Sequence, residues 1–337
     1  MTKLSPTRPD GLVTSIGASK NPGLWSRTWP LLIGLMVTLS LIIASLFIGV
    51  YDLSSEGGRE MFLITRVPRT LALILSGASM AVVGLIMQLM TQNRFVEPST
   101  TGTIEWAGLG LILTYIFIPQ PSLMLRMMVA IVFALIGTII FFAFLQRVAL
   151  KSSLVVPIVG LMLGAVVGAV STFVALQAEM LQNLGIWFAG SFTGVTRGRY
   201  ELLWIVAVTT IIVYFVADRF TVAGLGQEIA TSVGLNYRAV MIVGISIVAI
   251  TTGVVSVVVG SLPFLGLVVP NIVSMFRGDN LRTNLPWVVM VGIVVITLTD
   301  IIGRTIIMPF EIPVSMILGV LGATVFVYLI VRRGRRG

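Results

Sequence analysis

The chain contains no cysteine and no histidine, and only 10% of its 337 residues carry charge. The first two absences exclude disulfides, thiolate or imidazole metal sites, haem ligation by these side chains, and any catalysis that needs a cysteine or histidine. The scarcity of charge excludes an ordinary water-facing surface: a hydrophobic content of 57% and a mean hydropathy of +1.05 lie far outside the soluble globular range. Runs of about 20 apolar residues fit the roughly 30 Å hydrocarbon core of a bilayer. No Gly-Lys pair occurs, so the G-x-x-x-x-G-K-[ST] phosphate cradle is missing, and energy from nucleotide must come through another subunit. Deep acids are scarce too. The thirteen Asp and Glu lie in tails, loops or span ends, Glu105 opening one apolar run and Asp300 standing toward the outer end of another. An ion-coupled secondary carrier usually places titratable groups well inside its spans, so that mechanism is disfavoured, although unwound carbonyls offer a route to Na⁺.

What is present is a series of ten candidate spans, approximately Leu31 to Val50, Leu71 to Met90, Trp106 to Ile118, Met124 to Leu145, Leu154 to Leu176, Leu202 to Val216, Val240 to Gly260, Phe264 to Phe276, Pro286 to Ile307 and Val314 to Val331. This predicts an all-α polytopic membrane protein. A cytoplasmic N-terminal tail (1–28) precedes a ten-helix domain (29–331), and a basic tail (332–337) follows it. The first run exceeds a signal-peptide core and should remain as an anchor. An even number of spans puts both termini on one side, and Lys3, Arg8, Lys20 and Arg27 with Arg332, Arg333, Arg335 and Arg336 put that side in the cytoplasm. The other basic residues show no bias. Arg94, Arg147, Lys151, Arg219, Arg238, Arg277 and Arg282 fall inside, against Arg59, Arg66, Arg69, Arg126, Arg197, Arg199 and Arg304 outside, so the outer arginines need a reason.

The third and eighth spans are short and occupy the same place in each half of five. A half with an odd number of spans must be followed by one of opposite topology, which is the arithmetic of an inverted repeat. The eighth follows a break from Gly260 to Gly266, where backbone groups freed by Pro263 require partners inside protein or in a water-filled cavity. The pair points to a pathway near the repeat interface; tilted neighbours are the alternative. Between the sixth and seventh spans, residues 221–236 are too polar and glycine-rich to cross a bilayer. One or two short helices fit there: Gly224 and Gly226 break the chain, Glu228 suits a first turn and Gly234 suits a C′ stop. The segment reads either as a handle for a cytoplasmic partner or as a plain connector. Gly160, Gly164 and Gly168 place small residues at helix-packing spacing in the fifth span. Asp300 and Arg304 stand at i,i+4, a pair worth tenths of a kcal/mol on an exposed helix. Arg66 and Arg69 flank Pro68, where anchoring at headgroups is one explanation. Leu181, Leu184, Trp187, Phe188 and Phe192 form a short amphipathic stretch that an aromatic belt explains equally well.

Several of these segments together carry a resemblance. Arg66-Val-Pro-Arg69-Thr, Gly77-Ala-Ser-Met-Ala-Val-Val-Gly84, Gln88, Asn93-Arg-Phe-Val-Glu-Pro98, Leu225-Gly-Gln-Glu-Ile-Ala-Thr-Ser-Val-Gly234, Pro263-Phe-Leu-Gly-Leu-Val-Val-Pro270, Asp300-Ile-Ile-Gly-Arg304 and Glu311-Ile-Pro313 resemble, in order, the FecCD family of bacterial ABC importer permeases. That family moves iron-siderophore complexes, haem and cobalamin. The resemblance implies a type II importer permease fold with no catalytic residue or metal of its own. The implied partners are a second permease, identical or paralogous, two cytoplasmic ATPases that hold ATP and Mg²⁺, and an extracytoplasmic binding protein; nucleic acid has no part. It further implies that Gly224, Gly226, Glu228, Ala230 and Gly234 belong to the element seated in the ATPase, and that Arg66, Arg69 and Arg304 receive acidic residues of the binding protein. Gly160, Gly164, Gly168, Pro263, Gly266, Pro270 and Asn271 are implied as pathway-lining or packing residues. Much of the family has Pro-His where this chain reads Pro270-Asn271. With Gly102-Thr-Ile-Glu-Trp-Ala107, this is closer to a ferric-siderophore branch that includes catecholate importers than to cobalamin members. Cobalamin or haem is the alternative cargo.

Overall fold

The computed structural model describes residues 24–49, 58–147, 154–278 and 280–334. Among the described residues, ten apolar helices account for the ten runs of sequence. They are α1 (Leu24–Phe47), α2 (Gly58–Met90, with a π-helical turn over Phe62–Arg66), α3 (Thr103–Phe117), α4 (Leu123–Arg147) and α5 (Val155–Gln177) in the first half. After a short α6 (Leu181–Phe188), α7 (Tyr200–Ala223) leads through the small α8 (Gln227–Ser232) to α9 (Tyr237–Val258), α10 (Leu265–Arg277), α11 (Leu281–Thr305) and α12 (Val314–Gly334). Eight are long enough to cross a bilayer, and α3 and α10 are the shorter pair. At 1.5 Å per residue, these two reach only about 22 and 20 Å, short of the roughly 30 Å apolar layer. The expected tail boundaries shift outward: α1 begins before Trp29 and α12 runs past Val331 to Gly334, because a nucleated helix continues at low cost beyond its apolar stretch. The rest of the two tails lies outside the described residues.

Packing reveals the repeat. The second span, α2, lies against α10 and α11, while the seventh, α9, lies against α3 and α4. Exchanging second for seventh, third for eighth and fourth for ninth turns one set of contacts into the other. Likewise α3 touches α4 and α5 as α10 touches α11 and α12. Each short helix also starts from a left-handed residue, Gly102 (φ 80°) in one half and Phe264 (φ 63°) in the other. Phenylalanine adopts that conformation at a cost of about 1–2 kcal/mol. Two contacts offset it: the Phe264 N–H donates to the buried Glu97 carboxylate at 2.6 Å, and the ring rests where Gly322 has no side chain.

The core is built around α2, whose Leu73, Met80, Ile86 and Met87 are fully enclosed with Phe220, Val254, Leu265 and Ile296 from the surrounding helices. By contrast α1, α5 and α12 leave broad apolar faces uncovered, including Met162, Val166 and Phe173 on α5. Those faces suit lipid or another apolar helix surface.

Candidate functional sites at the two ends of the bundle

On the side of the α7–α9 connection, the chain leaves α7 at Gly224, turns at Gly226 (φ 109°) and forms the single turn and a half of α8. Gly234 (φ 81°) stops it as a Schellman motif, with the Leu235 N–H donating to the Ala230 carbonyl at 2.9 Å and the Gly234 N–H to Thr231 at 3.0 Å. Asn236 then caps α9 through the Ala239 N–H. Ala230 is the buried contact that seats α8, and Glu228 points out to solvent in its first turn. Leu225, Ile229 and Val233 are 59, 50 and 67% exposed. Leu225 stands just before Gly226 and Ile229 and Val233 follow on α8, so three exposed apolar side chains fall within nine residues, a feature sequence reasoning passed over although it was readable.

This segment is tied to the short helix α10. Gln92 lies beside Gly226 and Leu89 beside Gly224. A cavity of about 260 Å³ is lined by Gln88, Gln92 and Asn93 together with Gly224, Leu225 and Pro270. Pro270 has no N–H to give the Gly266 carbonyl one turn earlier, and the buried Gln88 amide donates to that oxygen at 3.3 Å instead. Asn271 donates to the carbonyls of Arg94 (2.8 Å) and Leu267 (2.7 Å), fastening α10 to the 91–97 loop. Gly266 meets Gly84 backbone to backbone, with no room for a side chain on either. Pro263 shapes the turn before α10. Glu97, fully buried, receives the Ser99 hydroxyl as well as the Phe264 N–H. Gly160 packs on the Thr100 carbonyl and Gly164 on Gly102, whereas Gly168 has open space beside it. The first two are therefore closely packed.

At the opposite end, Arg66, Arg69 and Arg304 are engaged inside the chain. Arg66 donates to the carbonyls of Leu46 and Phe47 at 3.2 and 3.3 Å, and Arg304 to those of Ser45 and Ile48 at 3.2 and 2.7 Å. Both satisfy the last carbonyls of α1, which have no intrahelical partner. Arg69 forks between Glu311, at 2.9 Å to each oxygen, and Asp300 at 2.7 Å, while Arg304 holds the second Asp300 oxygen at 2.8 Å. Thr193 adds its hydroxyl to Glu311 at 2.5 Å. Burial alone would raise the Glu311 pKa, but the Arg69 and Thr193 hydrogen bonds and the arginine charges bring it below the ordinary carboxylate value. The Asp300–Arg304 pair is thus a buried part of a four-charge network, not a surface helix pair.

Comparison with known proteins places this geometry. A model of the FecCD transport family matches residues 31–332. A petrobactin import system permease protein of Bacillus anthracis is 56% identical over 311 residues, covering 92% of each chain. One of Bacillus subtilis (strain 168) is 40% identical over 306 residues, covering 88% of this chain and 96% of the relative. Among solved structures, an inward-facing conformation of a metal-chelate type ABC transporter superposes with a TM-score of 0.78 at 23% identity, covering 90% of this chain and 99% of that one.

Proposed function

We propose that this chain, which belongs to the FecCD transport family, is the permease subunit of an ATP-driven importer that carries ferric-siderophore complexes across the bacterial cytoplasmic membrane. Petrobactin, named for two of its relatives, is the first cargo to test. The observation that carries the reading is the α8 segment: exposed apolar Leu225, Ile229 and Val233 beside an exposed Glu228, with Gly226 and Gly234 in positive-φ conformations at the two ends of the short helix. Such exposed apolar side chains cost free energy in water and gain it in a partner's cleft. In this proposal the cleft belongs to an ATPase subunit, two of which hold ATP and Mg²⁺, and both termini of the permease lie on the same cytoplasmic side.

The mechanism follows from the contacts behind α8. Movement of the ATPase shifts Gly224 and Gly226. These press on Leu89 and Gln92, and the 91–97 loop passes the displacement to α10 through Asn271 and Glu97. At Gly84 and Gly266 α10 and α2 meet backbone to backbone, and Gln88 holds the Gly266 carbonyl, so the displacement reaches α2 with little between the helices to absorb it. A second permease, identical or paralogous, covers the exposed face of α5. The binding protein sits on the outer end, whose shape the Arg66, Arg69 and Arg304 contacts maintain, and exposed charges such as Arg59 and Arg197 face it. The test is copurification in mild detergent. Wild type should bring down its ATPase, and the triple variant Leu225→Ser, Ile229→Ser, Val233→Ser should insert normally but lose it. An unchanged yield of ATPase with the variant would remove α8 from the interface.

A further inference from the structure

Beneath α6 lies an outer cavity of about 370 Å³ with exposed rim residues Thr193, Gly194 and Arg199. It adjoins a recess of about 30 Å³, and Trp187, Arg199 and Ser256 line both. Arg126 enters the recess from α4. One of its terminal nitrogens donates to the Tyr115 hydroxyl at 2.6 Å, while its Nε is buried with no hydrogen-bond partner. Tyr115 stacks on Trp187 with ring centroids 4.7 Å apart and planes 17° from parallel. Arg199 donates to the Gly194 carbonyl at 3.3 Å. Among the described residues neither arginine has a carboxylate partner, in contrast to Arg69 and Arg304 next door.

The chemistry is specific. Two guanidinium groups without acids attract anionic oxygen, and they bind it most strongly where water is excluded. The stacked indole and phenol supply a flat apolar wall for a planar group. The recess has room for about one oxygen-sized group, and the outer chamber falls at the low end of the roughly 300–1,000 Å³ of small-ligand pockets. We infer that this pocket is a cargo subsite that takes a catecholate or carboxylate arm of the anionic ferric chelate as it enters from the binding protein. The inference rests on the importer reading above. It adds that cargo contacts this permease at Arg126, Arg199, Tyr115 and Trp187.

The first arm of the test uses the assembled permease–ATPase complex in nanodiscs with 2,3-dihydroxybenzoate as the probe. Saturable quenching of tryptophan fluorescence is expected in wild type and is expected to vanish in Trp187→Phe. Apparent affinity should fall by about tenfold or more in Arg199→Gln and in Arg126→Gln, the loss of one charge-assisted hydrogen bond. Arg199 is exposed, so its variant keeps the test alive if Arg126→Gln does not fold. Absence of quenching in wild type, or unchanged affinity in a folded Arg199→Gln, overturns the proposal. The second arm measures ferric petrobactin uptake with the binding protein present. Arg199→Gln should reduce uptake while binding-protein affinity stays at the wild-type value. If that affinity falls in parallel with uptake, the pocket is a docking surface and the cargo assignment is overturned. A wild type that imports no ferric petrobactin counts against the cargo reading, and the quenching arm still decides the pocket.

Discussion

Replacing Arg69 by methionine should destabilise the folded permease before it affects any partner. The substitution keeps much of the side-chain volume but removes the fork that joins Asp300, which is completely buried, to Glu311, whose side chain is 27% exposed. Breaking a buried ion pair by removing one partner costs about 3–5 kcal/mol, because the surviving charge stays desolvated. Arg304 still neutralises one Asp300 oxygen at 2.8 Å, and water reaches Glu311, so the lower end, about 3 kcal/mol, applies. That is a large share of the roughly 5–15 kcal/mol that separates folded from unfolded protein. Melting of the detergent-solubilised complex, followed by size-exclusion chromatography, gives the readout. A double-mutant cycle with Asp300→Asn isolates the pair, with an expected coupling of about 0.5–3 kcal/mol. The double variant should therefore melt above the value expected from adding the two single losses. Wild-type melting in Arg69→Met, combined with weaker binding-protein association, would refute this reasoning and return the arginine to a docking role.

Gly234→Val places a β-branched residue at φ 81°, where the Schellman stop requires the left-handed region. Uptake should fall at normal membrane levels as α8 loses its end, measured by ATPase-coupled transport. Glu97→Ala strips the Phe264 N–H of its acceptor and should cost about 1–3 kcal/mol, read as a lower melting temperature and faster proteolysis near residues 260–264. Glu311 has a folded-state pKa below its ordinary 4.5. Its contribution to stability is therefore present above that value and is lost as pH falls through the folded-state value. The melting temperature should drop in that acid range, and Glu311→Gln should flatten the dependence.

Much of the fold was legible in composition and periodicity. The ten apolar runs, the two short ones at matching places and the glycine-bounded segment at 221–236 all follow from local pattern, since bilayer thickness fixes span length. Gly234 was readable as a stop because only a few residues tolerate its backbone angle. The arginines were not legible in the same way. Arg69 meets Asp300 and Glu311 across more than two hundred residues of chain, and Arg66 and Arg304 meet the end of α1. A charge count along loops registers such residues as surplus positive charge, although carboxylates neutralise Arg69 and Arg304 in space. Glu97 was hidden for the opposite reason: it sits in a loop by sequence, yet the loop folds inward against α10 and buries it. The cluster around Arg126 and Trp187 joins α3, α4, α6 and α9, so no single segment displays it.

Uptake into proteoliposomes containing this permease, its ATPase and its binding protein, supplied with radiolabelled ferric petrobactin, separates an ATP-driven chelate importer from its alternatives. Accumulation should require ATP on the ATPase side, survive a protonophore, stop with vanadate, and not be matched by radiolabelled cobalamin. Accumulation driven by an ion gradient without ATP would contradict ATP-driven chelate import, as would transport of cobalamin in place of the ferric chelate.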